Sequence, residues 1–189
     1  MKRYFSFTLV EILVVTVLVS LLAAIGFAGY GYAMNASRRA ATESLIQQIS
    51  AGLENFKIKN GYYPVSNTYT VIQATFNTSD GMLETVTFGA KQYKKGAKDG
   101  GFDAFFKNLD QEKFKKNISG GQVVDSWGGA VYYKYPGAVN TAGFDLISPG
   151  EDGKFGVTPA NTPAAAPTAA TYKSNDEWAC DDIANFMNK

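Results

Sequence analysis

The sequence predicts an α+β protein: one N-terminal helix of about 50 residues, half of it transmembrane, packed on a small antiparallel β-sheet head. Three observations predict this. An apolar run extends from Phe7 to Tyr32, long enough to cross about 30 Å of hydrocarbon at 1.5 Å per residue. Beyond it, Leu45, Ile49, Leu53 and Phe56 recur at helical spacing and mark one apolar face. Later, Gln122 to Val124, Ala130 to Tyr135 and Phe144 to Ser148 read as strands, separated by the turn pairs Gly128-Gly129 and Pro136-Gly137.

Taken in order, residues 1–6 form a short leader carrying Lys2 and Arg3, and this positive flank predicts a cytoplasmic N-terminus. A signal peptide carries its small cleavage residue after the apolar stretch. Here Ser6 stands before the run, so the apolar segment, residues 7–32, is expected to stay with the protein. Within it sits Glu11, and a charge in a membrane-spanning helix costs roughly 2.5 to 3.5 kcal/mol on insertion scales. Such an acid calls for a partner, and the expected partner is another copy of this chain. Residues 33–61 continue the helix outside the membrane, with Arg38, Arg39, Glu43, Gln47, Gln48 and Lys57 around the apolar face. Asn60-Gly61 supplies the stop, and Pro64 follows where a helix cannot resume. Gly26, Gly29 and Gly31 leave two readings open, local bending of the helix or close packing against neighbouring helices.

Residues 62–189 form the head. From Pro64 to Thr87 the chain is rich in Thr and Asn and reads as loop with weak strands at Thr70 to Ile72 and Leu83 to Phe88. A lysine-rich stretch follows, Lys91 to Lys116, interleaved with Tyr93, Phe102, Phe105, Phe106 and Phe114. Cations beside aromatics suit an acidic surface or single-stranded nucleic acid. Asp99, Asp103, Asp110 and Glu112 dilute the charge, which favours a solvated helix face with its aromatics turned inward. Residues 160–171 are an Ala/Pro/Thr-rich low-complexity loop, and Trp178 to Phe186 regains order-promoting residues.

Composition narrows the function classes. The formal charge of +1 points to no strongly charged partner, and no nucleic acid is expected. One cysteine, Cys180, cannot form an internal disulfide, which leaves packing, hydrogen bonds or a bound ion to hold the head. With no histidine, the Ser-His-Asp and Cys-His arrangements are excluded, as is the commonest zinc ligand. The expectation is that the chain is not an enzyme.

The segment Phe7-Thr8-Leu9-Val10-Glu11, after a basic leader and before a long apolar run, resembles the N-terminus of type IV pilins and type II secretion pseudopilins. The resemblance implies a pilin-like fold, cleavage by a prepilin peptidase after Ser6, and methylation of Phe7 as the new N-terminus. Ser6 departs from the glycine usual in the family. Asp125-Ser126-Trp127-Gly128 is similar to the Asp-Pro-Trp-Gly element of the major pseudopilins, with Ser126 in place of proline. Phe144-Asp145-Leu146, Ser148-Pro149-Gly150-Glu151-Asp152-Gly153 and Asp181-Asp182-Ile183-Ala184-Asn185-Phe186 resemble their calcium loop and terminal segment. Residues 66–121 have no counterpart in the resemblance.

By that resemblance Asp152 and Asp181 are side-chain ligands for calcium and the carbonyls of Pro149 and Lys154 support them, with Asp182 alongside. Calcium chemistry is compatible with this set, since the ion takes six to eight oxygen ligands from carboxylates and carbonyls. The plainer reading makes these acids turn and capping residues. The functional expectation is a structural subunit of a type II secretion pseudopilus. It would be held in the inner membrane by a single pass with a periplasmic C-terminal domain, and assembled with itself, minor pseudopilins and an inner-membrane platform. Two alternatives stand beside it: a subunit of a surface type IV pilus, and a membrane-anchored binding module that uses the lysine-rich stretch.

Overall fold

The computed structural model describes residues 8–96, 102–107, 109–155 and 182–186. The chain divides into two units, Met1–Ser37 and Arg38–Lys189. Helix α1 (Leu9–Asn60) supplies the described part of the first unit and enters the second.

In the second unit, α1 presents Leu45, Ile46, Ile49, Leu53 and Phe56 to the core, which is the face its spacing predicts. The helix stops where Gly61 takes φ +81°, a conformation glycine adopts without strain, and the Gly61 amide donates to Lys57 O at 2.7 Å. The head is α+β. One antiparallel sheet has the order β1-β7-β8-β9, from β1 (Ser66–Val71), β7 (Tyr132–Tyr135), β8 (Asp145–Ser148) and β9 (Ile183–Ala184). A second has the order β4-β3-β2-β6-β5, from β4 (Lys91–Lys94), β3 (Leu83–Phe88), β2 (Gln73–Phe76), β6 (Gln122–Val123) and β5 (Ile118–Ser119).

Two expectations are corrected by this arrangement. In the stretch after Pro64 the strand expected at Leu83 to Phe88 is β3, but β1 and β2 also form where mostly loop is expected. Its threonines are β-branched and suit a pleated, half-buried surface, so a Thr-rich composition that suggests loop also builds strand. Two sheets also stand where one small sheet is expected. β6 belongs to the second sheet, while β7 and β8 belong to the first. Ile72 is the only residue between β1 and β2, and it holds both sheets: its amide donates to Val131 O at 3.0 Å, and its carbonyl accepts the Val123 amide at 2.8 Å.

The lysine-rich stretch folds into β4, α2 (Phe102–Lys107) and α3 (Gln111–Lys116). Tyr93, Phe102, Phe105, Phe106 and Phe114 are all buried, and the described lysines of the stretch are exposed. Phe88 meets Phe105 and Tyr133 edge-on at 5.7 and 4.9 Å, and Phe102 stacks on both Tyr93 and Phe105 at 4.9 Å. Asp110 caps α3 by accepting the Lys113 amide, and that bond holds its carboxyl below the usual range. Residues 160–171, expected as a low-complexity loop, lie outside the described residues.

Candidate functional site

The first candidate is the start of α1. Thr8 opens the helix: its hydroxyl oxygen accepts the Glu11 amide and its carbonyl accepts the Ile12 amide, both at 3.2 Å. Glu11 therefore sits in the first turn, where the helix dipole favours an acid. Around it the helix is apolar on every side and uncovered. Leu9 is 82% exposed and Leu22 68%, and with the nine large apolar side chains between them they make eleven that are open. Burying each such side chain is worth roughly 1.5 to 3 kcal/mol, so the uncovered run forgoes more than the whole stability of an ordinary domain, about 5 to 15 kcal/mol.

The best 18-residue window of α1 has mean hydropathy 2.6, which makes the helix long and apolar enough to span a membrane; a signal sequence has the same character. Two other polar groups in the run satisfy themselves. Thr16 donates to Leu13 O at 2.9 Å and Ser20 to Thr16 O at 2.7 Å. Among the described residues the Glu11 carboxylate meets no cation. Ser6 and Phe7, expected at the processing point, lie outside the described residues.

The second candidate is the turn after β8. Gly150 and Gly153 adopt φ +66° and +70°, and Asp152 Oδ1 accepts the Lys154 amide at 2.7 Å, closing a short Asx-type turn. Pro149 is buried, whereas Asp152 and Lys154 are exposed. Asp182, fully buried, precedes β9, which pairs Ile147 with Ala184 and Ser148 with Ile183. Within the turn Pro149 is thus at the buried end, directly after β8, while Asp152 and Lys154 lie on the exposed part. The donors are all oxygens, as calcium requires. Among the described residues no group of three or more His, Cys, Asp or Glu gathers, and Asp181 lies outside them.

Two further carboxylates, Asp125 and Asp145, are buried near this turn. Asp125 accepts the Trp127 and Gly129 amides on Oδ1 at 2.9 and 2.8 Å, and the Ser148 hydroxyl on Oδ2 at 2.6 Å. It thereby ties the connection between β6 and β7 to the end of β8. Asp145 has no exposed surface and accepts four hydrogen bonds: Asn140 N on Oδ1, and Tyr69 OH, Ala138 N and Val139 N on Oδ2. Burial, reinforced by the bond to Asp145, pushes the Tyr69 phenol well above its usual range. The sequence signal for both is an aspartate next to a Gly- or Pro-Gly turn, a place where backbone amides are left to be satisfied.

Ser126, in the place of a proline in the resembling motif, uses what proline lacks. Its amide donates to Thr42 Oγ1 of α1 at 3.2 Å. Beside α1, two open clefts of about 270 and 340 Å³ share Ser50 and Asn185. No protein-family model, curated protein or solved structure matches this chain.

Proposed function

We propose that this chain is a structural subunit of a type II secretion pseudopilus, a periplasmic filament built from the inner membrane in support of protein export. The observation that carries the proposal is the start of α1, an uncovered apolar helix with one acid, Glu11, in its first turn. Lipid covers that surface before assembly, and the helices of other copies cover it afterwards. Cleavage by a prepilin peptidase after Ser6 exposes the amine of Phe7, and Glu11 pairs with that methylated amine on a neighbouring copy. Pairing offsets the cost of carrying either charge in an apolar core. Minor pseudopilins and an inner-membrane platform are the other partners.

Replacing Glu11 with Ala removes the acid and leaves the apolar run unchanged. Membrane insertion should persist while cross-linked multimers disappear from intact cells. Multimers at wild-type level in Glu11→Ala would overturn the assembly role.

Calcium is proposed at the turn after β8, held by Asp152 and Asp181 with the carbonyls of Pro149 and Lys154 and with Asp182 alongside. The all-oxygen donor set supports this. An ion that binds only the folded state must stabilise it. Melting of the full chain in detergent should therefore rise with calcium and fall with chelator, and an unchanged midpoint would remove the ion from the proposal.

A further inference from the structure

Three segments distant in sequence meet at two adjacent residues, Asp125 and Ser126. On α1, the Thr42 hydroxyl donates to Ser126 Oγ at 3.1 Å and accepts the Ser126 amide at 3.2 Å. Asp125, the preceding residue, accepts the Ser148 hydroxyl at 2.6 Å, and Ser148 Oγ in turn accepts the Gly150 amide at 3.3 Å. Thr42 and Ser148 have no exposed surface, and Asp125 is 4% exposed. Packing reinforces the connection. A Cβ on Gly129 would lie 2.5 Å from Pro149 Cγ and 2.9 Å from Asp125 Oδ2, so the two turns are pressed together at a point only glycine permits.

In a buried network each hydroxyl that both gives and receives a hydrogen bond has few alternative arrangements, and moving one link requires the next to exchange partners. We propose that Asp125 couples the turn of residues 149–153 to the head portion of α1, so that displacing the turn loosens Ser126 from Thr42. Glu151 and Asp152 are on the exposed part of the turn. The consequence of the coupling for filament contacts rests on the pseudopilin reading; the coupling itself does not.

Amide hydrogen exchange, measured on the full chain in detergent, tests the coupling from both ends. Ser148→Ala should speed exchange of the Ser126 amide at least about threefold, although Ser126 bonds to Thr42 and not to Ser148. The Ala74 and Lys95 amides, bonded to Gly121 O and Glu84 O in the other sheet, serve as the reference for global opening. Thr42→Val, which keeps the shape of the side chain, should reciprocally speed exchange of the Gly150 amide. Either variant suffices if the other does not fold. Changes confined to the mutated end, or Ser126 and Gly150 rising only in step with Ala74 and Lys95, would overturn the proposal.

Discussion

Gly52 shows how one residue can decide the fit of an element. It lies on the buried side of α1, and a Cβ there would approach Phe105 Cδ2 to 2.5 Å. Alanine would gain about 1 kcal/mol of helix propensity. Overpacking costs about 1 to 3 kcal/mol, and Phe105 cannot retreat: it is 1% exposed, stacked on Phe102 and edge-on to Phe88 and Phe106. The overlap offsets or exceeds the gain, so Gly52→Ala should lower stability by up to about 2 kcal/mol in denaturant titration. A stabilised variant would mean the ring can shift. Asp145 gives a second prediction at this scale. In Asp145→Asn the least costly orientation keeps the oxygen on Tyr69, Ala138 and Val139 and turns the NH₂ toward the Asn140 amide. One buried donor loses its acceptor, at a cost of about 1 to 3 kcal/mol. Equal stability of the variant at neutral pH would show that the loop of residues 137–144 can rearrange around an amide.

At the scale of elements, helix α1 was the most legible part, because its signals are local. The apolar spacing from Leu45 to Phe56, the stop at Asn60-Gly61 and Pro64 all lie within a few turns of one another. Gly61→Ala is the matching prediction. Nothing lies within 4 Å of a Cβ there, so only the left-handed backbone is strained, and a loss of about 1 kcal/mol in the same titration is expected. No loss would mean that the helix can end in another conformation. The strand after Pro136-Gly137 was also readable, for the same local reason. The division into two sheets was not, since it turns on Ile72, one apolar residue whose amide and carbonyl bond to segments 59 and 51 residues away in sequence. The roles of Asp125, Asp145 and Ser148 were hidden likewise. A buried carboxylate and an exposed turn aspartate have the same local sequence, and only the partners distinguish them.

For the whole molecule, the aromatic core fixes how the head responds to alkali. Burial, and then the neighbouring Tyr62, pushes the Tyr93 phenol up to about 12, and burial likewise raises Tyr63, Tyr69 and Tyr133 above their usual range. In the unfolded chain all four lose their protons near pH 10. Between about pH 10 and 12 the unfolded state therefore binds fewer protons than the folded one, and stability falls as pH rises. Below about pH 9 both states keep the protons and nothing changes. Each tyrosine that keeps its proton only in the folded state steepens that fall. Denaturant midpoints of the full chain in detergent should be level from about pH 7 to 9 and collapse between about pH 10 and 12. Tyr93 is the cleanest probe, because its shift comes from burial and Tyr62 rather than from a hydrogen bond to an acid. Tyr93→Phe should leave the neutral midpoint nearly unchanged and make the alkaline fall shallower. Midpoints that stay level to about pH 12, or a Tyr93→Phe profile as steep as the wild type, would mean that the phenols reach solvent without unfolding.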